Sequence, residues 1–373
     1  MDNFKNAFIQ KVIDSRYNTY GLENYDEFRY GKSTSFSLAN HYKEKLKDWI
    51  RSTINYRKEE AFSIAEKYYL SYNSYHNTLE GLYERLNIED KNLFVSLLVY
   101  RKMGSKRVKL PRNNKKYWKA IKTAKKLKKL DEKHDPNFMP YVLEKFDLSL
   151  IGYDLRLYFS DVGIAIDFII EQYAYKNGKT IIEANKGDVV LDIGGYWGDT
   201  ALYFAHKVGN DGKVFSFEFI PDNLKLHEIN TDLNQTLKKR IEVINHPVSD
   251  KTEDTIYYKD DGPGSRIQDK PFLGQTGSTT TITIDDFVQQ NNLDRVDFIK
   301  MDIEGAENLA LKGAIQTIKK YRPKLAIAIY HSIDDLINIP KWVLELNLDY
   351  EIFIDHYTIH QEETILFARP KND

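Results

Sequence analysis

From Val189 the chain reads Val-Val-Leu-Asp-Ile-Gly-Gly-Tyr-Trp-Gly198, an apolar run that breaks into glycines after a single acid. A short apolar run of this kind, closed by glycine, marks a strand buried on both faces, which requires layers above and below it. The chain on either side agrees. Strand-like segments recur at Val189–Ile193, Val214–Glu218, Ile241–Pro247, Asp297–Asp302 and Lys324–Tyr330, with helical stretches at Asp199–Lys207, Pro221–Asn234 and Ala306–Tyr321 between them. From about Val142 onward this alternation predicts an α/β domain, a Rossmann-like parallel sheet with helices on both faces. A helix is also expected over Val162–Lys176, closed by Asn177-Gly178. A polar stretch at 250–284, with Asp260-Asp-Gly-Pro-Gly264 and a strand-like Ser278–Ile284, is expected as a hairpin excursion beside the active edge.

Ligands of open α/β sheets sit beyond the carboxyl ends of the strands. A dinucleotide fold wants G-x-G-x-x-G there, so that the turn can hug a pyrophosphate. Here the spacing is D-x-G-x-x-x-G, from Asp192 through Gly194 to Gly198, and the acid comes first. A carboxylate in that place repels pyrophosphate and suits a cationic amino group. Glu218, at the end of the next strand, is placed to accept ribose hydroxyls. S-adenosylmethionine (SAM) has an amino-acid end and a ribose but no phosphate, so it fits where NAD does not. The expected cofactor residues are Asp192, Gly194, Gly195, Gly198 and Glu218. The plainer reading is a buried strand followed by a glycine-rich turn, with Glu218 a surface strand end and no ligand.

With 373 residues, 42% apolar and 29% charged, the chain has the balance of a globular protein long enough for one large domain plus an addition. No apolar run is long enough to span a bilayer and no apolar leader follows a basic start, so a cytoplasmic location is expected. The absence of cysteine excludes disulfides, thiolate metal sites and a cysteine nucleophile.

A net charge of −1 conceals an asymmetry. Arg101–Lys133 carries 15 Lys/Arg against Asp131 and Glu132, and the rest of the chain has 39 basic and 53 acidic residues. Residues 1–103 are expected to form an α-helical N-terminal domain, with helices near His41–Tyr56, Glu59–Tyr72 and Asp90–Met103, the last ending at Gly104. Its expected role is to bind the acceptor or a partner enzyme. Residues 104–141 are expected to be a basic amphipathic connector. In it Tyr117, Trp118, Ile121, Ala124, Leu127 and Leu130 recur at helical spacing between lysines. Such a helix docks by its stripe with a solvated lysine face, or draws an anionic ligand to 101–133: a glycan, a nucleotide-sugar or a membrane surface. Nucleic acid is the weaker choice, because lysines attract phosphate without reading bases.

Taken together, the motifs of residues 145–369 resemble the FkbM family of SAM-dependent methyltransferases. The resemblance rests on Val189–Gly198, on Val214–Glu218 with Pro221 and Asn223, and on Thr283-Ile-Asp-Asp-Phe287. It rests further on Phe298-Ile-Lys-Met-Asp-Ile-Glu-Gly-Ala-Glu307, Leu311-Lys-Gly-Ala314, and a tail from Ile329-Tyr-His331 through Ile339-Pro340 to Asp355-His-Tyr357. It implies the class I methyltransferase fold over 142–373. It also implies methyl transfer from SAM to oxygen, typically a hydroxyl of a sugar or glycan. The loop departs from the family in its crowded Tyr196-Trp197, aromatics expected to pack against the cofactor or the acceptor.

A sugar hydroxyl is a poor nucleophile at neutral pH and needs a base, a metal, or both. Asp302 and Glu304 follow the fourth strand, and His331, whose ordinary pKa lies near working pH, follows the fifth; these three are the expected catalytic residues. The same three can instead share a hard divalent ion such as Mg²⁺. Glu307 falls early in the next helix and can complement its dipole. His356 and Tyr357 are expected to face the acceptor or lie at the surface. Rival functions are a nucleic-acid methyltransferase tracking its substrate with Lys115–Lys129, and a non-catalytic binding protein. The first lacks the Asn/Asp-Pro-Pro-aromatic turn common after the fourth strand of base methylases, and intact strand-end acids argue against the second.

Overall fold

A computed structural model describes residues 3–25, 38–54, 58–137, 142–260 and 266–371. Its main sheet has seven strands, numbered here in chain order. They are β1 (Val189–Ile193), β2 (Lys213–Phe217), β3 (Ile241–Ile244), β4 (Phe298–Met301), β5 (Lys324–Ala328), β6 (Tyr350–His356) and β7 (Thr364–Pro370). Their spatial order is β6-β7-β5-β4-β1-β2-β3. The strands β1 to β5 pair in parallel, and β7 enters antiparallel between β5 and β6. Strand order reverses between β1 and β4, which opens a crevice at their carboxyl ends.

Successive side chains of each strand serve different cores. Leu191, Ile193, Phe215, Phe217, Ile299 and Met301 face one, with the helices Ile284–Gln290, Ile315–Tyr321 and Ile333–Glu345. Val190, Val214, Phe298 and Ala326 face the other, with the helices Asp199–Val208, Pro221–Asp232 and Lys115–Lys126. This period of two explains why the strands read as unbroken apolar runs.

Several elements differ from the sequence reading. The stretch Ala306–Tyr321 divides into helices Glu307–Lys312 and Ile315–Tyr321, and between them the chain at Gly313 passes so near Ser249 that a Cβ would lie 2.2 Å from its carbonyl oxygen. The strand within Ser278–Ile284 covers only Gly277–Thr280, and Thr283 instead caps helix Ile284–Gln290, its Oγ1 accepting from the Asp286 amide at 2.9 Å. Val162–Lys176 is not one α-helix. It contains a π-helix at Ile164–Ile170, a conformation frequent at functional sites, and then a short strand at Tyr175–Asn177. The excursion is a three-stranded sheet of Thr255–Lys259, Arg266–Gln268 and Gly277–Thr280. Of Asp260–Gly264, all but Asp260 lies outside the described residues.

The basic helix spans Lys115–Lys126 and docks by Tyr117, Ala120, Ile121 and Ala124, leaving its lysines exposed. From Lys128 the chain becomes a strand, so Leu130 does not continue the helical stripe. N-terminal helices lie at Phe4–Arg16, Leu38–Thr53, Lys58–Leu70, His76–Arg85 and Ile88–Met103. Tyr56 lies outside the described residues. The helix Ile88–Met103 ends at Gly104 (φ 72°) and covers the outer edge of the sheet. There Asp90 Oδ2 accepts from the Ile354 amide of β6 at 3.0 Å, and Arg101 donates to the Tyr330 carbonyl at 2.7 Å.

Candidate active site

The carboxyl ends of β1, β2, β4 and β5, the π-helix and the β6–β7 turn surround a cleft of about 370 Å³. Its walls are mostly apolar, and the charged groups set among them are the acids Asp167, Asp199, Glu218, Asp302, Glu304 and Glu363 with one cation, Lys300. Three wall residues that are not glycine hold left-handed backbone: Tyr196 (φ 43°), Glu304 (57°) and Glu363 (64°). Each costs on the order of 1 kcal/mol, and such strain clusters where a side chain has to be aimed.

The glycine loop is shaped first by the protein itself. Gly194 has φ 88°, and a Cβ there would lie 2.0 Å from the Asp302 carbonyl oxygen, so this glycine lets the β1 and β4 loops touch. Gly195 abuts Ser216 Oγ and Gly198 the ring of His227 in the same way. Of the three only Gly194 reaches the cleft. Tyr196 stacks on Trp197 at 4.2 Å between centroids; Tyr196 lines the cleft, while Trp197 is buried and donates to Asn223 at 3.1 Å.

Asp192 does not line the cleft either. It is fully buried, and accepts from Thr200 Oγ1 at 2.9 Å and Ser216 Oγ at 3.0 Å while pairing with Lys300 at 3.1 Å. Burial would push the Lys300 ammonium down, but Asp192, Asp302 and Asp199 outweigh it and hold the pKa above its ordinary value. Lys300 also donates to the Gly194 carbonyl at 2.5 Å, which ties the loop to β4.

Glu218 stands at the cleft as expected. Its Oε1 accepts from the Phe219 and Ile220 amides at 2.7 and 2.8 Å, which fixes the carboxylate, and Oε2 accepts from Asn223 at 3.3 Å. Burial raises its pKa to about 7. Asp199 follows Gly198 directly and is raised by burial to about 7, and Asp167, beside it, is raised further by burial and by Asp199. Sequence reasoning passed over both. Asp199 was adjacent to the quoted loop, whereas Asp167 reaches the cleft only through the π-helix.

On the β4–β5 side, Asp302 accepts from Tyr173 at 3.1 Å and from Tyr330 at 3.0 Å, and lines the cleft with Glu304. His331 stands behind them. Its Nε2 lies 3.5 Å from both Asp302 and Glu304, and its Nδ1 lies 3.2 Å from Glu307. Burial opposes its charge, yet Glu307, Asp302 and Glu304 prevail and lift its pKa to about 9. The imidazole is therefore a cation at neutral pH rather than a group poised near it. Atoms of Asp302, Glu307 and His331 lie within 4.8 Å of one another, so the triad that a metal would need contains Glu307 and not Glu304. Those contacts suit an imidazolium, whose proton an ion would have to displace. Glu307 Oε1 also accepts from the Ile303 amide at 2.8 Å, locking the β4 loop. Glu363 comes from the β6–β7 turn without any sequence motif to mark it. It accepts from Gln172 at 2.6 Å, and burial together with Asp302 raises it to about 8. His356 and Tyr357 are both buried: His356 Nδ1 lies 2.8 Å from Thr364 Oγ1, and Tyr357 donates to the Ala174 carbonyl. Neither lines the cleft or reaches the surface.

Residues 182–352, which supply β1 to β5 and most of this cleft, match the methyltransferase FkbM domain. The matched region has the open, mostly parallel sheet of a Rossmann-like fold. Among solved structures, a methyltransferase FkbM from Methylobacillus flagellatus KT is 18% identical and aligns over 87% of this chain and 70% of its own, with a TM-score of 0.48. A fibrillarin from Aeropyrum pernix in complex with SAM is 13% identical over 61% of this chain and 89% of its own (TM-score 0.34). A SAM-dependent O-methyltransferase from Thermotoga maritima is 15% identical over 50% and 60% (TM-score 0.30). No curated protein matches the sequence.

Proposed function

We propose that the region matching the FkbM domain is a SAM-dependent methyltransferase that transfers the methyl of SAM to a hydroxyl of a sugar or glycan in the cytoplasm. The observation that carries this reading is the chemistry of the cleft walls. Six carboxylates and the phenols of Tyr173 and Tyr330 surround the reacting space. Carboxyl groups exchange hydrogen bonds with neighbouring hydroxyls, as a polyhydroxylated ring requires, and the ionised ones among them repel phosphate-rich acceptors.

The cleft suits SAM for the same reason. Its cationic groups match Asp167 and Asp199, and Glu218 has lone pairs left on Oε2 for the ribose hydroxyls. Gly194 contributes close backbone. Asp192, Gly195 and Gly198 act one layer behind, holding the loop. When bound, SAM supplies an electrophilic methyl on a good leaving group. The chain's task is then to orient the acceptor oxygen and take its proton. Asp302, fixed by Tyr173 and Tyr330, accepts that proton as the oxygen takes the methyl. Glu304 holds a neighbouring hydroxyl, and the His331 cation offsets the charge of both acids. No step is assigned to a metal.

A proton linkage follows from Glu218. Ribose hydroxyls donate to the ionised carboxylate, so binding lowers a pKa that stands at about 7 in the free protein and releases the proton. SAM affinity measured by calorimetry is expected to rise roughly tenfold between about pH 6 and 8. Glu218→Gln should bind about tenfold more weakly at the upper pH and show a shallower slope. An unchanged slope would remove Glu218 from the ribose site.

The acceptor is tested by incubating the protein with methyl-labelled SAM and fractionated host extract, with and without chelator. Label in carbohydrate that resists nuclease and protease, and that survives chelation, is the expected result. Label in nuclease-sensitive material would overturn the sugar reading and make Lys115–Lys129 a substrate track. Loss of transfer with chelator would restore a metal at the Asp302 and His331 cluster.

A further inference from the structure

The helix Leu38–Thr53 is mounted the wrong way round for a globular core. Its polar side is buried: Asp48 accepts from Thr19 Oγ1 at 2.5 Å and pairs with Arg107 at 2.7 Å and Arg51 at 3.0 Å. Its apolar side faces out. Tyr42, Leu46, Trp49 and Ile50 are 65%, 58%, 63% and 46% exposed and fall within about 100° of arc at helical spacing. Burying such a stripe is favourable by about 1.5–3 kcal/mol per large side chain in general, so a face of this kind asks for a partner.

The charge beside the stripe says which partner. Lys43 and Lys47 are exposed on the same helix, Lys47 paired with Glu44 at 2.7 Å and Lys45 with Glu23. The Glu23 carbonyl accepts from Asn113 at 2.7 Å, and Asn113 Oδ1 accepts from Trp118 of the basic helix at 2.9 Å. This chain of contacts ties the helix to helix Lys115–Lys126, whose six lysines are all exposed. Trp and Tyr on an apolar face, with lysines alongside, is the composition of a helix that lies in a membrane interface.

We propose that helix Leu38–Thr53 docks on an anionic lipid surface, with Tyr42, Leu46, Trp49 and Ile50 entering the headgroup boundary and the lysines of 115–126 meeting lipid phosphates. No helix of the described residues is long and apolar enough to cross a membrane, so the contact is peripheral. This inference is independent of the acceptor.

The test is co-sedimentation of the full chain with vesicles of phosphatidylglycerol and phosphatidylcholine against phosphatidylcholine alone. Binding is expected to the anionic vesicles only and to weaken with salt. Leu46→Glu/Trp49→Glu should reduce it about a hundredfold, and Lys119→Glu/Lys122→Glu, which leaves the stripe intact, about tenfold. Both variants should keep the wild-type melting temperature. Three results would overturn the proposal: equal binding to neutral vesicles or none to either; a concentration-dependent dimer that Leu46→Glu/Trp49→Glu abolishes, which would give the face to a second copy; or a lowered melting temperature in that variant, which would show the stripe covered by the chain itself.

Discussion

Replacing Lys300 with methionine is expected to lower the unfolding free energy by about 3–5 kcal/mol, the usual cost of stripping a buried charge of its partner. Lys300 is 1% exposed and Asp192 fully buried, so neither can turn to water when the other is lost. The lysine also holds the Gly194 carbonyl and faces Asp302 and Asp199, so the variant leaves several acids with less compensation. Methionine fills a similar volume, and the loss is then electrostatic rather than a cavity. Asp192→Asn in the same chain should recover part of it, because the orphaned charge is gone. Urea unfolding of the single and double variants reads both effects. A single variant within about 1 kcal/mol of wild type, or a double variant worse than the sum, would contradict the buried pair as the strut of the loop.

Asp302→Asn is expected to reduce kcat by about a hundredfold or more, the range of a lost general base, while SAM affinity changes by less than about threefold. The substitution preserves shape, and Tyr173 and Tyr330 can still donate to the amide oxygen. What disappears is the charge that draws the hydroxyl proton. Single-turnover transfer, with SAM binding measured separately, distinguishes the two quantities. A variant that lost SAM affinity and turned over normally once saturated would place Asp302 in the cofactor site and not at the acceptor.

The sheet was legible because a buried parallel strand leaves a signature that needs no context. Val189–Ile193 and Phe298–Met301 are apolar on both sides and end in polar groups, and both appear within a residue or two of their expected bounds. The helix that should have spanned Val162–Lys176 was misjudged because apolar spacing does not separate an α-helix from a π-helix. What brings Asp167 to the cleft is that one local underwinding.

Acids at strand ends were legible for the same reason as the strands. Glu218, Asp302 and Glu304 all reach the cleft. Asp192 carries the same signal yet turns inward to Lys300, because side-chain direction depends on the pleat and on a partner more than 100 residues away in the chain. Glu363 gave no signal. It lies in a turn that becomes part of the site only when β7 inserts between β5 and β6. His331 was found, but its charge state was not, since three carboxylates from one distant loop set it.

The central claim is that SAM occupies the cleft beyond β1, β2 and β4. Ultraviolet cross-linking of methyl-labelled SAM to the full chain, followed by peptide mapping, tests it most directly. Saturable label is expected in peptides from 189–200, 213–224 or 298–308, with Tyr196 the foremost aromatic target, and excess unlabelled SAM should remove it. Saturable label in residues 4–133 instead, or none anywhere under conditions where methyl transfer proceeds, would contradict it.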